Sequence, residues 1–109
     1  MRHVGIDPRS LTACVIDTDT GKISHIRFSS DEEAEIVKYF SGIRPFRVLL
    51  PRSSGTRWLR TLLVPLADAI FLGNPGKLRA FAHRRNRNPA NPVFLARLLT
   101  RNGVERVAR

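Results

Sequence analysis

Two short apolar runs, with one helix-length segment between them, constrain this chain more than any other feature. Phe46-Arg47-Val48-Leu49-Leu50 and Ala69-Ile70-Phe71-Leu72 are of strand length and largely apolar, as buried parallel strands are. Between them Leu59, Leu62, Leu63 and Leu66 stand at i, i+3, i+4, i+7, with Trp58 at the start of the stripe. That spacing predicts a helix, which Pro65 shortens or kinks near its end. Pro51-Arg52-Ser53-Ser54-Gly55 breaks the first run, and Gly73-Asn74-Pro75-Gly76 closes the second. Strand, helix and strand of these lengths make a βαβ unit, so its strands are expected to be parallel with a right-handed crossover.

The chain ahead of this unit reads as a meander. In His3-Val4-Gly5-Ile6-Asp7-Pro8-Arg9-Ser10, Val4 and Ile6 alternate with Gly5 and deliver a carboxylate, Asp7, at the strand's end. Pro8 cannot donate to a sheet ladder and biases Asp7 towards extended backbone. A second β-rich run covers Leu11 to Asp17, Asp19-Thr20-Gly21-Lys22 is a turn, and a third strand covers Ile23 to Phe28. Ser29-Ser30-Asp31-Glu32-Glu33 then reads as a helix start, with Ser30 as cap, Glu33 completing a capping box and the acids complementing the dipole. Ile36, Phe40 and Ile43, widened by Val37, form its apolar stripe, and Gly42 or Pro45 ends it. After the βαβ unit, Lys77 to His83 reads as a helix, Arg84 to Pro92 as a polar, proline-bearing loop, and Val93 to Thr100 as a last helix ending near Gly103.

With 109 residues the chain makes one domain, large enough for a single core. Its one cysteine, Cys14, excludes an internal disulfide and a multi-cysteine zinc site, and reads as a small buried hydrophobe. His3, His25 and His83 have no ligand-like spacing. The most apolar stretch, Trp58 to Leu72, carries Arg60, Pro65 and Asp68 and is too short to span a bilayer. No signal peptide is legible, so no membrane partner and a cytoplasmic location are expected.

Charge is distributed unevenly. Residues 1–43 carry a net −2 and residues 44–109 a net +12. A half-domain that basic points to an anionic partner, nucleic acid first, although an arginine-heavy surface reflecting genomic base composition gives the same count. The aromatics lie mostly in apolar stripes; Trp58 and Phe81 read as core, so a base-stacking platform is not expected.

The order of motifs resembles one family. Gly5-Ile6-Asp7, then Gly55 and Trp58 after a buried strand, then Asn74-Pro75 with Arg79-Ala80-Phe81-Ala82, then Leu95-Ala96-Arg97-Leu98-Leu99 is similar to the N-terminal RuvC-like, or DEDD, domain of insertion-sequence transposases of the Piv/MooV type, the bridge-RNA-guided recombinases. Gly5-Ile6-Asp7-Pro8 with Ser10 also resembles Holliday-junction resolvases of the RuvC type. The resemblance runs from Val4 to about Leu99 and implies an α/β, RNase H-like mixed sheet with flanking helices, in one domain over residues 1–109. The family's C-terminal domain, with its serine nucleophile, is not expected here. Ser53 and Ser54 do not replace it, having no nucleophile elbow or nearby histidine, and read as a turn capping the next helix.

The resemblance also implies a site of four acids, each a ligand of catalytic magnesium. The first falls on Asp7. The second, a Glu opening a Glu-x-Thr-Gly motif, falls on Arg52, and the last two, counted back from Leu95, fall on Asn88 and Asn91. Two-metal phosphodiester cleavage needs carboxylates holding two cations about 4 Å apart. Magnesium prefers anionic oxygen. Arginine in place of a carboxylate turns attraction into repulsion worth several kcal/mol at about 4 Å and an effective dielectric near 20. No resident metal or other cofactor is therefore expected, beyond at most a weak site at Asp7.

What this leaves is a basic platform, with Arg52, Arg57, Lys77, Arg79, Arg84, Arg85 and Arg87 as candidate phosphate contacts. The leading expectation is a transposase-derived domain, catalytically degenerate, that binds structured RNA or duplex DNA through backbone or shape rather than base readout. Two others stay open. One is an active transposase or resolvase-like nuclease in DNA recombination, with Mg2+ on Asp7. The other is a protein-interaction module that pairs with an intact transposase; self-association into a homo-oligomer is compatible with either.

Overall fold

The computed structural model describes residues 1–29, 31–84, 88–101 and 103–108. Ser30, Arg85 and Arg87, each given a role above, lie outside the described residues, as does the side chain of Ser54.

Among the described residues five strands form one sheet: β1 (Arg2–Asp7), β2 (Thr12–Asp17), β3 (Ile23–Arg27), β4 (Phe46–Pro51) and β5 (Ala69–Gly73), in the order β3-β2-β1-β4-β5. β2 pairs antiparallel with both β1 and β3, whereas β4 pairs parallel with β1 and with β5. The meander and the parallel βαβ unit are therefore both present. Among the described residues four α-helices cover the sheet: α1 (Glu33–Gly42), α2 (Arg57–Leu63), α3 (Pro75–Arg84) and α4 (Pro92–Thr100). Short 3-10 turns precede α2 and follow α4.

Strand alternation divides the core in two. On one face Val4, Ile6, Val48 and Leu50 meet Ile36 and Phe40 of α1 and Leu59 and Leu63 of α2. On the other, Leu49 meets Leu78 and Ala82 of α3 and Phe94, Leu95, Leu98 and Leu99 of α4. Cys14 is fully buried, as expected. Trp58 and Phe81 are partly buried against the two halves of the core.

α4 sits directly on β1. A Cβ on Gly5 would lie 2.1 Å from the Pro92 carbonyl oxygen and 2.5 Å from the Ala96 nitrogen. Only glycine admits that approach. At its other end the helix is held by Arg47, whose guanidinium donates to the Leu99 carbonyl at 3.1 Å and contacts His3 Nδ1 at 3.2 Å. Arg47 cannot accept a hydrogen bond, so Nδ1 is the acceptor and the proton of neutral His3 sits on Nε2. α4 thus runs back along β1, from the carboxyl end of the strand towards its start.

Burial, and then the neighbouring Arg47 charge, hold the His3 pKa below its ordinary value. A proton bound more weakly in the folded state destabilises the fold as pH falls through about 6.5, the unfolded value. The expected result is a melting temperature that is level from pH 8 to about 7 and declines towards pH 5.5, with a flatter profile for His3→Gln. An unchanged profile in the variant would show that His3 is not the responsible group.

Several local expectations need correction. α1 begins at Glu33 with Glu32 as its cap residue, and the Glu32 side chain does not cap it. The Glu32 carboxylate instead accepts from the Ser29 N–H at 3.0 Å, and the Glu32 N–H donates to the Ser29 carbonyl at 3.1 Å, so the contact lies ahead of the helix and is not a capping box. Ser53 does not cap through its side chain either; Thr56 Oγ1 donates to its carbonyl at 2.8 Å. α2 ends at Leu63, so Leu66 packs on the core from the turn beyond it. Pro51 remains in β4, in register with Gly73. Leu11 lies in the turn rather than in β2, in the left-handed region at φ 53°. Its side chain is buried and its carbonyl accepts from the Phe28 N–H at 3.0 Å, which holds a conformation that non-glycine residues disfavour.

Candidate functional site

β1, β4 and β5 end at the same edge of the sheet, and β1 and β4 continue in opposite directions along it: β1 leads back to β2, β4 onward to β5. A crevice outside the carboxyl ends of strands at such a reversal is where open α/β sheets bind ligands. Asp7 ends β1 there, and Arg52 follows β4 there. α4, lying over Gly5, brings Asn91 to the same end. Three of the four places implied by the resemblance thus reach one edge, and Asn88 is tied to them through its carbonyl, which accepts from the Asn91 N–H at 3.1 Å.

Each of these residues has a local partner. Asp7 Oδ1 accepts from the Arg9 N–H at 3.0 Å and is approached by Arg9 Nε at 3.4 Å. The Asn91 Oδ1 caps α4, accepting from the N–H groups of Val93 and Phe94 at 2.9 and 3.2 Å. Asn88 Oδ1 accepts from the Ala90 N–H at 2.9 Å, which makes a compact turn of the approach to α4. Arg52 donates its N–H to the Gly73 carbonyl at 2.8 Å, extending the β4–β5 pairing, while its side chain is exposed. Asn74 repeats the capping device at α3, accepting from Gly76 and Lys77 at 2.9 and 3.1 Å.

These donors do not fit a pair of magnesium ions. One carboxylate is present, a guanidinium already lies against it, and both amide oxygens are engaged by backbone N–H groups. Among the described residues no three His, Cys, Asp or Glu side chains gather.

Charge changes sign along this edge. Beyond β3 stand the exposed acids Asp31, Glu32 and Glu33 at the start of α1. At β1, Asp7 and Arg9 offset one another. Beyond β4 and β5 come Arg52 and Arg57, then Lys77 and Arg79 in α3, all exposed. Among the described residues the ion pairs are those of the N-terminal amine with Asp19, Arg2 with Asp17 and Arg9 with Asp7, so these later cations face solvent rather than a carboxylate. Arg84 is exposed at the end of α3.

No aromatic side chain is exposed: Phe28, Tyr39, Phe40 and Phe46 form one ring cluster, Phe81 contacts Phe94, and Trp58 and Phe71 are half-buried. A small apolar hollow lined by Ile6, Leu11, Ala13, Phe28, Ile36, Phe40 and Leu59 has a volume of about 10 Å³, room for one water molecule and for no organic substrate. No described helix is long and apolar enough to cross a membrane.

Sequence reasoning missed two partners. Arg9 is two residues from Asp7, and an Asp-x-Arg spacing beside a proline turn was a usable signal. Arg47 interrupts an otherwise apolar strand, and a lone cation there was a signal of a buried polar contact. No family model, curated protein or solved structure matches the chain.

Proposed function

We propose that this chain is an RNase H-like domain of the RuvC type, descended from the N-terminal domain of Piv/MooV-type transposases, that has lost its metal site and binds nucleic acid without cutting it. The observation that carries this reading is the sheet edge. One acid of the four implied by the resemblance is present, Arg9 neutralises it, and exposed cations without an ion-pair partner among the described residues follow β4 and stand on α2 and α3. The strand order, with β2 alone running against the others, supports the same relationship.

The chemistry follows from that charge pattern. A phosphodiester approaching a four-carboxylate site is repelled until metals fill it. Here Arg52 and Arg57 attract phosphate directly. With every aromatic ring at least half-buried, phosphate contacts rather than base stacking supply the affinity, so binding should depend steeply on salt. Asp7 serves the turn by holding Arg9.

The test is binding of a labelled RNA hairpin and a labelled DNA duplex across a salt series, with and without Mg2+. Binding is expected to weaken with salt at a log–log slope of several units, to be indifferent to Mg2+, and to leave the substrate intact. Mg2+-dependent cleavage that Asp7→Ala abolishes would instead establish a working nuclease. Absence of binding at low salt would remove nucleic acid from the reading altogether.

A further inference from the structure

We propose that the outer surface of the α3–α4 layer is the docking face for a nucleic-acid duplex, with Arg97 and Arg101 as phosphate contacts. This rests on the nucleic-acid reading above and extends it from the strand ends to a helical face.

α3 and α4 lie on one side of the sheet, joined by a shared apolar cluster and by the Phe81–Phe94 ring contact at 6.2 Å. Arg97 is the exposed residue within α4, whose other described positions are buried or half-buried, and Arg101 follows one turn later. Lys77, Arg79 and Arg84 are exposed on α3. Neither helix contains an acid, and from Ala69 onward the sequence has one, Glu105. Among the described residues none of these cations has a carboxylate partner. The sequence resemblance placed Arg97 inside a motif of the last helix; the fold turns it outward.

Arg97 and Arg101 stand one turn apart on α4 and the residue that follows it, and Lys77 and Arg84 stand two turns apart on α3, so each helix carries a line of cations. A duplex offers two rows of phosphates to such lines of cations, one on each side of a groove. A single strand offers one such row and draws its affinity from stacking on exposed rings. Every ring of this chain is at least half-buried. The face therefore favours a duplex.

The experiment uses the full chain, a fluorescein-labelled DNA duplex two helical turns long, the RNA duplex of the same sequence, and one labelled strand alone. Anisotropy is followed from about 50 to 200 mM salt. Arg97→Gln with Arg101→Gln is expected to lower the duplex salt slope by about 2, one unit per cation removed. The corresponding lysine pair should restore it. Lys38→Gln, on the opposite side of the sheet, should leave the slope unchanged. Matching far-UV spectra and melting temperatures for wild type and variants establish that the fold is intact, as expected for exposed positions. A wild-type chain that binds the duplex with a slope unaltered in the Arg97/Arg101 variant overturns this inference and leaves the strand-end reading standing. Equal affinity for the single strand also overturns it. Failure of the wild type to bind any of the three probes overturns the preceding proposal instead.

Discussion

Gly5→Ala is expected to cost about 3 kcal/mol or more of folding stability, lowering the melting temperature by about 12 °C or more. The added methyl would lie 2.1 Å from the Pro92 carbonyl oxygen, 2.5 Å from the Ala96 nitrogen and 2.8 Å from the Leu95 Cβ. Two of those three atoms are backbone, so no rotamer change relieves the overlap, and α4 must lift from β1. Lifting it would separate Leu95, Leu98 and Leu99 from Leu49 and stretch the Arg47 bond to the Leu99 carbonyl. Urea denaturation of wild type and variant measures the loss. A stability within about 0.5 kcal/mol of wild type, the range of ordinary surface substitutions, would show that α4 does not cross β1 at this point.

The second large effect is expected from Phe40→Ala, at about 4 kcal/mol. Phe40 is 1% exposed and stands at the centre of a ring cluster, with centroid distances of 5.1 Å to Tyr39, 5.3 Å to Phe46 and 6.0 Å to Phe28. Removing the ring opens a cavity between α1 and the sheet and breaks contacts that join α1, β4 and the segment after β3. A chain of this length has a total stability on the order of 5–15 kcal/mol, so the variant loses a large share of it. Thermal melting is expected to shift by about 15 °C. Phe40→Leu, which keeps much of the volume, should cost well under half as much, and equal losses in the two variants would contradict a cavity as the cause.

Phe40 and Gly5 differ in how far sequence alone exposes them. Phe40 lies on the stripe with Ile36 and Ile43, and helical periodicity marks it as core without knowledge of its neighbours. Gly5 in a strand signals a bulge or a close backbone approach. Nothing local says that the approaching backbone is that of Pro92 and Ala96, nearly the whole chain away. The same contrast holds at the strand edge. The βαβ unit and the strand that delivers Asp7 could be located from residue types and spacing. That Asn91 would spend its amide oxygen on the first turn of α4, and that Arg9 would fold onto Asp7, depended on backbone directions that spacing does not encode. The capping expectation at Ser53 shares that origin: residue type marks a favourable cap, while the path of the preceding chain decides whether the hydroxyl can reach an N–H.

The sequence by itself determined the kinds of element and their order, the apolar face of each, the burial of Cys14 and the concentration of positive charge after residue 43. These are properties of short windows, set by side-chain period and by composition. Only the tertiary structure decided that β1 lies between β2 and β4, that α4 runs back along β1, and that Arg97 is the exposed residue of α4. Periodicity says which side of an element is turned inward. Which element it meets there depends on packing summed over the whole chain, and at Gly5 that choice rests on the absence of a single methyl group.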